Sequence, residues 1–197
     1  MAKLLYQGHG SYRITTSAGA VIYVDPYAGE GYDLPADLVL VTHDHHDHNV
    51  ISLVPPKEGC TVITQKEALA DGVYHSFSVA GVKIDAVPAY NSHHKKSECV
   101  GYVLDLGDVR LYASGDTSTT QEMETQLPGY CLDYALLPID GIYNMNATEA
   151  VRCAELIKAK KVIPIHMKPG ALFDRVMAES FHAPNRMIVE PGEEIQL

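Results

Sequence analysis

Two mixed β-sheets with helices packed outside them, an α/β (α+β) fold in a single domain over residues 1–197, is the architecture this sequence predicts. Three observations carry it. Short β-like runs alternate with shorter helical ones along the whole chain, with no linker, low-complexity stretch or visible repeat. Several of the β-like runs are continuously apolar, and such strands need cover on both faces. The clearest helix leads straight into one of them.

Residues 4–7, 11–16 and 21–24 read as antiparallel strands, the last ending in Asp25-Pro26. Residues 37–41 form an apolar strand that runs into the heptad THDHHDH, Thr42 to His48. The chain then turns into a short helix over 48–53. A strand over 61–64 and a short helix over 65–70 stop at Asp71-Gly72. Strands follow at 82–88, 99–106 and 109–113, with Gly107-Asp108 as a tight hairpin turn, and then a buried strand at 134–137. Over 147–160 Val151, Ala154 and Ile157 recur at helical spacing, and Asn146 with Glu149 three residues on resembles a capping box. The strand 161–165 ends at His166.

A hydrophobic content of 46% with 20% charged residues is that of an ordinary soluble globular protein. No apolar run approaches the ~20 residues that span a bilayer, and MAKLLYQGHG has no signal-peptide pattern. The four cysteines are scattered without a CxxC, as reduced thiols are. A cytoplasmic location and no membrane partner are therefore expected. The net charge of −10 opposes a broad nucleic-acid surface, so the expected partner is a small-molecule substrate, with a homo-oligomer left open.

The heptad places four histidines and two aspartates at the end of a buried strand, and such groups are costly to desolvate unless something binds them. Asp25, His43, His94, Asp116 and His166 each lie at, or just after, the end of an apolar strand, where active sites collect. In extended chain His43 and His45 point the same way and can reach one metal. Asp47 and His48 face a second point. His94 would complete the first site and His166 the second, with Asp116 bridging cations ~3.5–4 Å apart. His166 alone would more simply be a core histidine and Asp116 alone a turn residue; only the constellation is specific.

This pattern resembles the metallo-β-lactamase fold superfamily: HxHxDH as His43, His45, Asp47 and His48, a later histidine, the aspartate of Gly115-Asp116-Thr117, and a closing strand-end histidine. The likeness runs from Gly8-His9-Gly10-Ser11 and Asp25-Pro26 to Gly192-Glu193. The runs AVPAYN, VGYVL, GDT, LLPI and IPIH are similar to small single-domain metal-dependent hydrolases related to ascorbate-6-phosphate lactonase. The resemblance implies a four-layer αβ/βα sandwich with two metals in a cleft at one sheet edge. It implies the same ligand sets, His43, His45 and His94, then Asp47, His48 and His166, with Asp116 shared and Asp25 orienting a ligand from behind. His94 rather than His93 follows from counting back from Val100-Gly101-Tyr102. The chain departs from the family at Ile142, Asn144 and Asn146, where small residues and threonine are commoner, so the relatives' substrates do not transfer.

Nitrogen and carboxylate donors without cysteine suit two divalent ions, Zn²⁺ best on affinity, with Mn²⁺, Fe²⁺, Co²⁺ or Ni²⁺ as other occupants. Such a pair makes a bridging hydroxide that attacks a carbonyl carbon or phosphorus, with Asp47 and Asp116 as the catalytic carboxylates. The expected enzyme is a binuclear hydrolase of a small ester, lactone or phosphodiester. Lys95, Lys96 and Lys168 beside ligands suggest an anionic substrate, although lysines also simply solvate loops; Tyr143 and Tyr90 are candidate pocket residues, with core packing an equal account. His9 and His93 are candidates to protonate the leaving group, though surface or core roles are simpler. A nuclease of the superfamily and a non-catalytic metal-binding module are the alternatives. The net charge speaks against the first, and a donor set that leaves room for water against the second.

Overall fold

The computed structural model describes residues 1–197. The first sheet contains β1 (Lys3–Gly8), β2 (Ser11–Thr15), β3 (Val21–Val24), β4 (Ala36–Leu40), β5 (Pro56–Ile63) and β12 (Glu194–Gln196), in the order β12-β1-β2-β3-β4-β5. The second contains β6 (Ser76–Val79), β7 (Val82–Pro88), β8 (Val100–Asp105), β9 (Arg110–Ala113), β10 (Tyr134–Pro138) and β11 (Lys161–Ile165), in the order β11-β10-β9-β8-β7-β6. In the first sheet three antiparallel pairings, β12-β1, β1-β2 and β2-β3, precede two parallel ones, β3-β4 and β4-β5. The second repeats the scheme: β6-β7, β7-β8 and β8-β9 are antiparallel, β9-β10 and β10-β11 parallel. One pairing plan is thus used twice although the sequence shows no repeat. Both sheets are mixed, as expected.

The sheets pack face to face. Alternate residues of each strand point inward, so Leu4, Ile14, Ile22, Leu38 and Leu40 meet Ile84, Leu104, Leu111, Leu136 and Ile163 in one buried cluster. Tyr102 crosses this core and donates its hydroxyl to the Val41 carbonyl at 2.9 Å.

The helices are α1 (Gln65–Ala68), α2 (Glu122–Thr125), α3 (Ala147–Ile157) and α4 (Arg175–Ser180). The outer layers are unequal. Ala150, Cys153, Ala154 and Ile157 of α3 pack on Tyr112, Ala135, Leu137 and Val162 of the second sheet in a substantial cluster. The outer face of the first sheet carries a small one, Val21, Tyr23, Ala36, Val39, Val41 and Val54. The helix expected over 48–53 is only a 3-10 turn, Ile51–Leu53: Val50 offers no side-chain cap, and Pro55-Pro56 prevent continuation.

α3 begins as expected, with Asn146 Oδ1 accepting the Glu149 N–H at 2.9 Å. The Glu149 carboxylate does not return the bond. It accepts from Thr119 N at 2.9 Å and Thr119 Oγ1 at 2.7 Å, tying the helix to the loop after β9. The helix ends before the expected 160 because Lys158 adopts the left-handed conformation, φ 60°. α1 has the full box, Thr64 with Glu67. β6, β12, α2 and α4 were not expected; each is short and part-exposed, and so weak in pattern. No helix is long and apolar enough to cross a membrane.

Candidate metal centre

Strand ends build the site, as the sequence suggested, with one exception. Asp25 follows β3 directly and His166 follows β11 directly, and both turn at once into the left-handed region, φ 45° and 44°. His43 lies past the end of β4. Asp116 follows β9 through Ser114-Gly115. Gly115 has φ +60°, and a Cβ there would meet Thr42 Cβ at 2.7 Å, so only glycine lets this turn close against the heptad strand.

The exception is His94, which lies not at the end of β7 but well into the loop beyond it. Asn91 folds that loop: its Oδ1 accepts from the backbone of His93 at 2.8 Å and of His94 at 2.9 Å, and lies 3.0 Å from His94 Nδ1. His94 is thereby buried, whereas His93 is exposed.

The seven expected donors converge. Ligand atoms of His43, His45 and His94 lie within 4.8 Å of one another, and so do those of Asp47, His48 and His166, joined by His9. Asp116 stands between the groups. Its Oδ2 is 3.3 Å from His94 Nε2 and 3.4 Å from His166 Nε2, and its Oδ1 is 3.4 Å from His48 Nε2.

Four imidazoles share one arrangement: an oxygen sits against Nδ1, and Nε2 turns inward. Asp25 accepts from Thr42 N and Thr42 Oγ1, each at 2.7 Å, and from His48 Nδ1 at 2.9 Å, the orienting role expected of it. Thr42 Oγ1 in turn lies 3.0 Å from His43 Nδ1. Asn91 serves His94. Asp140 Oδ2 lies 3.0 Å from His166 Nδ1. Such partners fix tautomer and ring direction around a metal.

The residues fit a cation. His43 Nε2, His48 Nε2 and Asp116 Oδ1 are buried without a hydrogen-bond partner, a cost of about 1–3 kcal/mol each in the absence of a ligand. Burial, reinforced by the neighbouring His48, pushes His43 down to about 2, so it presents a neutral lone pair. Burial disfavours the charged form of His48, but Asp116 and Asp25 outweigh it and raise this imidazole to about 9. Asp116 and Asp47 are held below the usual carboxylate range against the opposing effect of burial, Asp116 by His48 and His166, Asp47 by His9 and His48. The nest is one that favours positive charge.

Above the donors opens a cavity of about 450 Å³ bordered by Tyr27, His46, His93, Tyr143 and Pro169-Gly170. Tyr143 takes the pocket position expected of it. The lysines do not. Lys95 pairs with Glu98 at 2.9 Å and borders a neighbouring cavity; Lys96 pairs with Glu122 at 2.7 Å, with its ammonium 4.7 Å from the Tyr90 ring centre; Lys168 is not in the lining. Carboxylates thus face the first two, although the cavity that Lys95 borders is also lined by His43, His45 and His94.

Three residues were undervalued in the sequence. His9, weighed as a leaving-group acid against a surface or core role, is fully buried beside Asp47. Asn91 had no role assigned. Asp140 was missed although it closely follows the β10 strand, the same strand-end signal that marked Asp25 and Asp116.

The Beta-lactamase superfamily domain model matches residues 3–166. A UPF0173 metal-dependent hydrolase from Thermococcus onnurineus is 31% identical over 230 aligned positions that cover all of both chains. Among solved structures, a metallo hydrolase from Ignicoccus hospitalis superposes with a TM-score of 0.77 at 23% identity, over 98% of this chain and 97% of that one. A chain from Thermotoga maritima assigned to the metallo-β-lactamase superfamily superposes with a TM-score of 0.68 at 22% identity, over 96% and 98%. At these identities the two structures speak for the fold alone. This chain belongs to the Beta-lactamase superfamily domain family, among its metal-dependent hydrolases.

Proposed function

We propose that this metal-dependent hydrolase works with two divalent cations and cleaves an ester, lactone or phosphodiester bond of a small molecule. His43, His45 and His94 would hold one cation, and Asp47, His48 and His166 the other, with Asp116 shared. The observation that carries this is the position of Asp116, whose carboxylate lies within 3.4 Å of imidazoles from both groups. When bound, the cations lower the pKa of a coordinated water from about 15.7 toward ~7 and polarise the scissile oxygen. Histidine and aspartate donors favour zinc, with manganese, iron, cobalt and nickel as other occupants.

The chain's own residues do the rest. Burial keeps the His43 lone pair free of protons, and the imidazole partners keep Asp116 ionised. Asp47 borders the cavity, where its carboxylate can accept a hydrogen bond from the attacking water and aim it at the substrate. Motif likeness to lactonase-related hydrolases supports keeping lactones among the candidate substrates. An open cavity directly above the donors favours catalysis over metal storage. A cytoplasmic location agrees with four free cysteines.

Metal analysis of the purified protein should return about two equivalents per chain. Turnover of a chromogenic carboxylester, lactone and phosphodiester panel should be abolished by Asp116→Ala. A single equivalent, or activity that survives the substitution, overturns the proposal; two equivalents with no turnover of any kind would favour the non-catalytic module.

A further inference from the structure

The walls of the cavity narrow the substrate class. No lysine or arginine lines it. Lys66 and Lys95 border only the adjoining cavity, which shares His45, His93 and His94 with this one; there Lys95 faces Glu98, and Lys96 faces Glu122. The cavity is bordered instead by two edge-to-face aromatic pairs. Tyr27 and His46, on the side of Asp47, have centroids 6.2 Å apart at 87°, and Tyr143 and His93, on the side of His94, lie 5.6 Å apart at 85°.

The Tyr143 wall is fixed to the metal ligands themselves. Asp140 Oδ1 accepts the backbone N–H groups of Ile142 and Tyr143, each at 2.7 Å, while Oδ2 of the same side chain faces His166. Asn91 Nδ2 donates to the Tyr143 carbonyl at 2.9 Å, while its Oδ1 holds His94. Two polar residues therefore each keep one contact on a ligand and another on this loop. Tyr143, held in place on the cavity wall, remains 48% exposed. Exposed aromatic surface locked beside a polar floor is what an uncharged, planar ligand needs, since ring contacts supply affinity and no remote charge awaits a partner.

Resting on the two-cation function proposed above, we infer that the substrate is an uncharged small ester or lactone carrying an aromatic or similarly flat apolar group, seated between Tyr27 and Tyr143. It is not a phosphorylated or carboxylated molecule. One water adds to the carbonyl carbon, the acyl C–O bond breaks, and the products are a carboxylic acid and an alcohol, or a single hydroxy acid from a lactone; nothing is oxidised or reduced.

The test compares the metal-loaded protein on dihydrocoumarin, on its ring-carboxylated analogue, and on bis(4-nitrophenyl) phosphate. The neutral lactone should show the highest kcat/KM. Tyr143→Ala and Tyr27→Ala should each raise its KM roughly three- to tenfold, as loss of an aromatic contact does. Tyr143→Phe should restore the wild-type value, and Lys96→Met should leave all three substrates unaffected. Calorimetric titration with 2-tetralone, the carbocyclic analogue of dihydrocoumarin with no acyl C–O bond to break, should show the same loss of affinity in the two alanine variants. Preference for the carboxylated lactone or the phosphodiester, or alanine variants with unchanged KM and 2-tetralone affinity, overturns the inference. In either case turnover that still depends on Asp116 leaves the two-cation function standing, whereas turnover independent of Asp116 removes that function itself.

Discussion

His9 Nε2 lies 3.2 Å from Asp47 Oδ2, and the same ring packs 3.8 Å, centroid to centroid, from that of His166. Its Nδ1 faces the Ala171 carbonyl at 3.2 Å, and its backbone carbonyl accepts the His166 N–H at 2.8 Å. One side chain from the β1–β2 turn therefore reaches both loops that supply the second group of donors. Gly10 makes this approach feasible, because a Cβ there would meet His48 Cε1 at 2.8 Å.

His9→Phe keeps a ring against His166 and removes the nitrogen facing Asp47. Partners behind a metal ligand are worth about 10–100-fold in metal affinity. Competitive chelator titration should show a loss of that size for one of two cations, with the other nearly unchanged. Equal weakening of both, or of neither, would show that His9 does not position Asp47.

Thr42→Val preserves shape but removes the hydroxyl that links Asp25 to His43. The variant should lose about 1–3 kcal/mol of stability, because Asp25 Oδ2 and His43 Nδ1 each lose a buried partner. Chemical denaturation of the metal-free protein measures it; a change below about 0.5 kcal/mol would contradict the link.

Asp140 carries a pH dependence whose sign is fixed. Burial alone would raise its pKa, but His166 and the backbone N–H groups of Ile142 and Tyr143 outweigh that and lower it from 3.8 to about 2. A carboxyl depressed on folding contributes stability above its unfolded pKa, and that contribution is lost as pH falls through the folded value. The Tm advantage of the metal-free wild type over Asp140→Asn should therefore be complete above pH 4 and fade between about 4 and about 2. A gap that is constant with pH would refute the ionised role.

Gly115→Ala should be among the most damaging single-methyl additions, combining a positive φ with a contact of 2.7 Å to Thr42. Metal binding should weaken along with Tm, since the turn carries Asp116. Retention of both would show that the turn can relax.

Much of the site was legible because strand ends mark it. Asp25, Asp116 and His166 stand directly at, or within a short turn of, apolar strands whose pattern any period-two count detects. His94 was different: its loop is shaped by Asn91, a side-chain bond that no periodicity reports. Asp140 obeyed the strand-end rule but stood alone in its stretch, with no histidine beside it to draw notice. The lysines misled because chain position shows proximity to His94 but not the glutamates across the surface from them. The two sheets and α3 followed from apolar pattern and a cap, whereas the edge portions of β5, exposed over most of their length, carry little pattern.

The two-cation centre is tested most directly by anomalous diffraction from crystals of the metal-loaded protein, recorded on either side of the absorption edge. Two peaks about 3.5–4 Å apart are expected, one among His43, His45 and His94, the other among Asp47, His48 and His166, with an Asp116 oxygen on each. One peak, or two with Asp116 turned away from both, would contradict the two-cation centre.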